Sequence, residues 1–264
     1  MFEAGFIGCG NMGGTLAAAA AKSGASVLAA DRAAEKTERL AREYGAVPAD
    51  AKRVAAESGM IFLGVKPQGL RETAEEIRPV LAERKDRFVV VSMAAGVTAA
   101  TVKALTGGAP VIRIMPNLPA SVGKGVILYC ADGVTEREEA AFAALMSPAG
   151  MIEKIPEQKI DAASAVTGCG PAFVCMFAEA LTDGAVRCGL TRAQAREFAL
   201  RTVAGTADYL LESGKDPAVL RAEVCSPAGS TIEGVAALEQ GALRAVVMDA
   251  VDASYRRTKE LQNI

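Results

Sequence analysis

An α/β fold, with an N-terminal doubly wound parallel sheet followed by an all-helical C-terminal domain, is what the order of apolar segments predicts. Three observations carry that expectation. From Phe2 to about Ile155 short apolar runs alternate with stretches of helical spacing, a glycine-rich turn separates the first run from the first helix, and after Pro156 the strand pattern disappears. The 264 residues divide accordingly into a sheet domain over 1–156 and a helical domain over 157–264.

The expected strands are Ala4–Gly8, Ser26–Ala30, Met60–Val65, Phe88–Ser92 and Val111–Met115, each apolar over most of its length, as strands covered on both faces must be. Two weaker runs, Val126–Cys130 and Met151–Ile155, extend the sheet around a helix over Thr135–Met146. Between the strands lie helices over Met12–Ser23, Ala34–Tyr44 and Gly69–Arg84, the first two stopped by Gly24 and Gly45. In the second half a helix opens at Pro171, a favoured first-turn residue, with Phe173, Val174, Phe177, Ala180, Leu181 and Gly184 on one inward stripe. Thr191 and Gln194 stand at capping-box spacing and start a helix to about Glu212, with Phe198, Ala199, Val203, Thr206 and Leu210 inward. Further helices are expected over Pro217–Val224, Thr231–Glu239 and Ala242–Leu261.

Composition narrows the function. Hydrophobic residues make up 51% and charged residues 23%, so a packed core is expected and disorder is not. A net charge of -2 without clustered Lys and Arg argues against nucleic acid as a partner. No basic leader precedes Phe2, Phe6 and Ile7, and no run reaches the roughly 18 uninterrupted apolar residues of a spanning helix, so a cytoplasmic protein with no membrane partner is expected. The six cysteines lack paired short spacing and read as reduced core thiols. The absence of histidine removes Ser-His and Cys-His nucleophilic pairs and histidine-based zinc sites together. Proton transfer is left to carboxylates, lysine, hydroxyls or water, a limit that hydride transfer fits.

Gly8-Cys9-Gly10-Asn11-Met12-Gly13 follows the first strand and opens the first helix. In that context Gly8 permits the tight turn, Gly10 lets backbone approach a pyrophosphate at the helix N-terminus, and Gly13 lets the helix pack on the strand, the arrangement of a Rossmann-type dinucleotide site. A merely structural turn is the alternative. Asp31 and Arg32 end the second strand, where the adenosine ribose is normally read. Asp31 suits a free ribose hydroxyl and hence NAD; Arg32 suits a 2′-phosphate and hence NADP, which is favoured. A helix N-cap at Asp31 beside a solvated arginine is the bland reading.

Beyond that turn, Val65-Lys66-Pro67-Gln68, Ser92-Met93-Ala94-Ala95-Gly96, Arg113-Ile114-Met115-Pro116-Asn117, Thr167-Gly168-Cys169-Gly170-Pro171-Ala172 and Val224-Cys225-Ser226-Pro227-Ala228-Gly229-Ser230-Thr231 follow in order. Together they resemble the pyrroline-5-carboxylate reductase family through nearly the whole chain. The resemblance implies an NAD(P)H-dependent oxidoreductase that delivers hydride to the C=N bond of 1-pyrroline-5-carboxylate and yields L-proline, the last step of proline biosynthesis. It implies a cofactor lined by Gly8, Gly10, Asn11, Met12, Gly13, Asp31, Arg32, Val65, Lys66 and Ala95. The substrate is implied to meet Glu157, Glu223, Gly229, Ser230 and Thr231, with the Thr231 hydroxyl near the ring nitrogen, and no metal is implied. A homodimer or a larger ring of dimers follows from the same likeness.

Physical chemistry agrees in part: the Ser226–Thr231 turn leads into a helix, whose free amides suit a carboxylate. A helix capped by Ser226 or Ser230 with no ligand is the alternative. The chain departs from the family at Ala228, where a second glycine is usual, which leaves a positive φ there open. Cys225 replaces the usual Ser or Thr, Phe173 replaces a common Tyr, and an asparagine that some members use is missing near Asp50 and Ala51. A related dehydrogenase for hydroxy acids, or a non-catalytic cofactor sensor, are the rival readings.

Overall fold

The computed structural model describes residues 1–261. The eight strands form one sheet in the order β3-β2-β1-β4-β5-β6-β7-β8: β1 (Phe2–Ile7), β2 (Val27–Ala30), β3 (Val47–Pro48), β4 (Ser58–Leu63), β5 (Val89–Ser92), β6 (Val111–Met115), β7 (Gly125–Asp132) and β8 (Gly150–Lys154). The first six strands pair in parallel, and β7 runs antiparallel to β6. The doubly wound parallel sheet expected from sequence is present, with this one antiparallel pair set into it. Only a short 3-10 turn, Leu118–Val122, separates β6 from β7, and a parallel return needs a crossover of a dozen or more residues.

Helices cover both faces. Alternation along the strands sends Ala4, Phe6, Phe62, Val91, Ile112 and Ile114 to one face, under α1 (Asn11–Lys22) and α6 (Glu136–Met146). Ile7, Leu28, Ile61, Leu63, Val90 and Val111 go to the other, under α3 (Ala51–Glu57), α4 (Pro67–Glu83) and α5 (Ala99–Leu105). Phe6 and Phe62 stack at 4.3 Å between centroids, and both are fully buried, about 2–3 kcal/mol of apolar transfer each. The short elements β3, α3 and α5 went unread because two to seven residues give too little periodicity to recognise.

The chain forms two compact units. The first holds Met1–Gly168 and the described residues from Tyr255 on, and the second holds Cys169–Ser254. The packing border therefore falls at Gly168, beyond the 156/157 division expected from sequence. Its cause is α7 (Glu157–Thr167), a helix not foreseen as part of the sheet unit, which buries Ile160 and Ala165 there. The charged Asp161 also points inward, so no clean apolar stripe marked the helix in the sequence.

The second unit contains α8 (Gly170–Arg187), α9 (Arg192–Ser213), α10 (Pro217–Val224), α11 (Ser230–Gln240) and most of α12 (Leu243–Leu261). The capping box at α9 is formed: the Gln194 N–H donates to Thr191 Oγ1 at 3.3 Å while Gln194 Oε1 accepts from the Thr191 N–H. Of the residues expected inward only Ala199 is buried, and the stripes otherwise differ. Only Ala178, Thr182, Ala195 and Ala199 are buried, whereas Val174, Phe177, Leu181 and Phe198 lie exposed. Small residues let α8 and α9 approach closely, and the large apolar side chains point away. One stretch, Glu157–Arg187, is long and apolar enough by length and composition to cross a membrane, although Asp161, Glu179, Asp183 and a turn at Gly168 interrupt it, so it is not an uninterrupted apolar run.

Candidate functional site

The strand order reverses between β1 and β4, and the carboxyl ends of those two strands open the crevice where such sheets bind ligands. Gly8 leaves β1 with φ +94°, and its N–H donates to the Ala30 carbonyl at 2.8 Å. A Cβ on Gly13 would stand 2.0 Å from the Gly8 carbonyl oxygen, and one on Gly64 would stand 2.2 Å from it. The three glycines are thus one backbone-to-backbone contact that no other residue allows. Gly64 was missed in the sequence; its position directly before Val65-Lys66-Pro67 at a strand end was the available signal. A Cβ on Gly10 would meet nothing within 4 Å, so this position is open.

Gly10 is the N-cap of α1, no side chain caps it, and the first turn carries no acidic residue. Amides of Asn11, Met12 and Gly13 therefore point out of a helix start with a positive dipole end, which fits the pyrophosphate of a dinucleotide. Asp31 does not present a free carboxylate beside it. Its Oδ2 accepts from the Cys9 N–H at 2.7 Å, and its Oδ1 accepts from the Ala33 N–H at 2.9 Å and from Lys36 Nζ at 3.1 Å. Burial pushes the Asp31 carboxyl up, but the Ala33 and Cys9 amides and Lys36 outweigh it and hold the group below its ordinary range. Asp31 is not the helix N-cap, which is Ala33; it ties the glycine turn to the loop after β2. Arg32 is exposed and makes no ion pair among the described residues. Cys9, buried in the turn, has its thiol pushed up to about 12 by burial and by Asp31, and is chemically inert.

Val65 is half-buried after β4, and Lys66 is the exposed N-cap of α4. Ala95 is exposed in the loop between β5 and α5, where Gly96 takes φ +76°. All these residues stand at the carboxyl rim of the sheet.

In the second unit Gly229 caps α11 by backbone alone, and neither Ser226 nor Ser230 caps the helix with its side chain. The first-turn amides of Ser230 and Thr231 are free, and the Thr231 side chain is exposed. Ala228 does adopt φ +58°, so the turn keeps the left-handed residue although an alanine fills it. A Cβ on Gly229 would lie 2.3 Å from Ser226 Oγ and 3.1 Å from the Ser226 carbonyl oxygen, so a larger residue would have to turn the serine side chain aside.

The two glutamates expected at the substrate are engaged elsewhere. Glu223 pairs with Lys215 at 2.7 Å on the surface of the second unit. Glu157 Oε1 accepts from Arg113 Nη1 at 3.0 Å and from the Ala99 N–H at 2.8 Å. Charge complementarity across 44 residues of chain drew Glu157 inward, and nothing local in the sequence announces it. Among the described residues no group of three or more His, Cys, Asp or Glu is placed to hold a metal ion.

Comparison with known proteins places this geometry in context. Residues 157–261 match the family described as pyrroline-5-carboxylate reductase dimerisation, and residues 3–96 match that described as NADP oxidoreductase, coenzyme F420-dependent. Pyrroline-5-carboxylate reductase 3 of Danio rerio is 40% identical over 265 residues, covering 98% of this chain and 91% of the relative. The Arabidopsis thaliana pyrroline-5-carboxylate reductase is 35% identical over 98% of this chain and 95% of its own. The solved pyrroline-5-carboxylate reductase of Coxiella burnetii superposes with a TM-score of 0.90 at 30% identity, over 98% of both chains. A Plasmodium falciparum pyrroline carboxylate reductase with NADP bound gives 0.86 at 26% identity, over 99% of this chain and 100% of that one.

Proposed function

The chain belongs to the pyrroline-5-carboxylate reductase family, and from that premise we propose the roles of its residues in the reaction that follows. It is an NAD(P)H-dependent oxidoreductase that converts 1-pyrroline-5-carboxylate to L-proline. When bound, the nicotinamide supplies the hydride that saturates the C=N carbon. The protein's share is to hold, orient and neutralise, because the protonated imine is already electrophilic.

The amides of Asn11, Met12 and Gly13 take the pyrophosphate, Gly10 leaves room for it, and Val65, Lys66 and Ala95 line the rest of the cofactor. Arg32 takes a 2′-phosphate. The observation supporting NADPH over NADH is the pair Asp31 and Arg32: both Asp31 oxygens already accept from backbone or Lys36, which weakens its pull on a ribose diol, while Arg32 is exposed and makes no ion pair among the described residues. The substrate carboxylate is held by the free amides of Ser230 and Thr231 at the start of α11, where the helix dipole adds to the attraction. The Thr231 hydroxyl hydrogen-bonds to the ring nitrogen and keeps its proton in place.

Exposed Val174, Phe177, Leu181 and Phe198 in a stretch that matches a dimerisation family support burial against a second copy. We therefore read the unit in solution as a cytoplasmic homodimer without membrane or nucleic-acid partners. Light scattering without detergent checks this: a monodisperse dimer or a ring of dimers is expected, and detergent-dependent solubility would overturn it.

The decisive assay is steady-state oxidation of NADPH and of NADH with 1-pyrroline-5-carboxylate, run beside hydroxy acids. Turnover of the imine with a higher kcat/KM for NADPH is expected. Turnover of a hydroxy acid alone would replace the substrate, and a clear preference for NADH would reverse the reading of Arg32.

A further inference from the structure

We propose that Glu157 and Arg113 are positioning residues for the cofactor-binding loop between β5 and α5, an inference that rests on reading that loop as part of the nicotinamide site. Arg113 lies on β6 and is 1% exposed, so its charge must be met inside the protein. Its Nη1 donates to Glu157 Oε1 at 3.0 Å and its Nη2 to Asp161 Oδ1 at 3.1 Å. Lys259 Nζ donates to Asp161 Oδ2 at 3.0 Å, so two cations and two carboxylates form one cluster within the first unit. Strand alternation sends Arg113 to the α5 and α7 side of the sheet, opposite Ile112 and Ile114.

The same Glu157 oxygen that accepts from Arg113 also accepts from the Ala99 N–H at 2.8 Å. Ala99 is the first residue of α5, and the preceding residues 93–98 are the loop that carries Ala95. Hydrogen bonds inside the loop are long: the Ala94 N–H reaches Ser92 Oγ at 3.4 Å, and the Val97 N–H reaches the Ala94 carbonyl at 3.3 Å. Thr98 caps α5 locally through the Thr101 N–H at 3.1 Å, and the short, charge-assisted bond at Ala99 is the contact that ties this end of the loop to α7. Glu157 retains 29% exposure in its side chain and holds this geometry because Arg113 fixes its head. Without the guanidinium the carboxylate gains more from solvent than from one amide.

Three variants test the assignment. Glu157→Ala removes the anchor, Glu157→Gln keeps an oxygen acceptor for the Ala99 N–H while dropping the charge toward Arg113, and Arg113→Lys keeps the cation without the fork. Amide hydrogen exchange is followed on the cofactor-free protein, and NADPH affinity is read by fluorescence titration beside separate KM values for cofactor and imine. Glu157→Ala is expected to speed exchange over residues 93–100 and raise the NADPH Kd about 5–20-fold, the part of one charge-assisted hydrogen bond that cofactor binding must restore. The KM for imine at saturating cofactor should stay within about twofold, and Glu157→Gln should recover part of the affinity. Unchanged exchange over 93–100 overturns the proposal, as does a loss that falls on the imine KM, which would place Glu157 at the substrate. Should Arg113→Lys fail to fold, the two Glu157 variants decide alone. A wild-type protein that turns over no imine would defeat the functional reading, while the exchange measurement would still judge the anchor.

Discussion

Replacing Asp31 with alanine separates two uses of one carboxylate. In the structure Asp31 receives the Cys9 N–H at 2.7 Å and the Ala33 N–H at 2.9 Å, and Cys9 is 1% exposed. Alanine leaves the Cys9 amide buried without an acceptor, which costs about 1–3 kcal/mol, whereas water can reach the half-buried Ala33. Since Cys9 lies between Gly8 and Gly10, the strain falls on the phosphate-binding turn itself. If the bound state must restore that turn, a loss near 1.4 kcal/mol is about tenfold in affinity. Fluorescence titration with NADPH and NADH should thus show both cofactors weakened about tenfold by Asp31→Ala, alongside a lower melting temperature. By contrast, Arg32→Ala should weaken NADPH alone, by roughly the 1.5–3 kcal/mol of a hydrogen bond to a charged group. A loss confined to NADH in Asp31→Ala would refute the structural-tie argument, because it would mean that the carboxylate reads the ribose.

Other outcomes follow from the same geometry. Thr231→Ala should lower kcat with 1-pyrroline-5-carboxylate by about tenfold or more with the NADPH Kd unchanged; an unaltered kcat removes the hydroxyl from the reaction. Ala228 at φ +58° bears the left-handed penalty of about 1–2 kcal/mol, partly offset by the lower unfolded-chain entropy of alanine relative to glycine. Ala228→Gly should raise the melting temperature slightly and Ala228→Val should lower it; the reverse order in thermal melts would contradict the strain. Arg87, together with the capping box at Thr135, drives the Glu138 carboxyl from 4.5 down to about 2. Its folded value lies below its unfolded one, so its stabilisation is complete above pH 4.5 and fades as pH falls toward 2. Glu138→Gln should be less stable than wild type at pH 7, with the gap in denaturant midpoint closing toward pH 2; a constant gap would assign the effect to packing.

Local features were legible before the structure. Gly8, Gly10 and Gly13 stand between an apolar run and an Ala-rich helix, and steric demands at that spacing leave few other solutions. Thr191 and Gln194 formed the expected capping box, because both halves of that motif lie within one turn. Helix Pro217–Val224 was read to the residue, since proline opens it and little else competes locally. The Ser226–Thr231 turn was legible as a helix start, while its side-chain capping and the left-handed Ala228 were the points the sequence left open.

The sequence by itself determined the α/β order, the glycine turn and the helix start after Ser226, since each depends on residues a few positions apart, and the family, since its segments recur in order along the chain. Tertiary structure alone decided that Asp31 faces inward to Cys9, that Glu157 meets Arg113 and Ala99, and that α8 buries Ala178 and Thr182 while Val174, Phe177 and Leu181 stay exposed. For the two charged contacts the physical reason is the same. A buried charge or an unfilled amide is satisfied by whichever partner the fold brings within hydrogen-bond reach, and that partner lies 22 residues away for Asp31 and 44 for Arg113, with no local pattern to announce it.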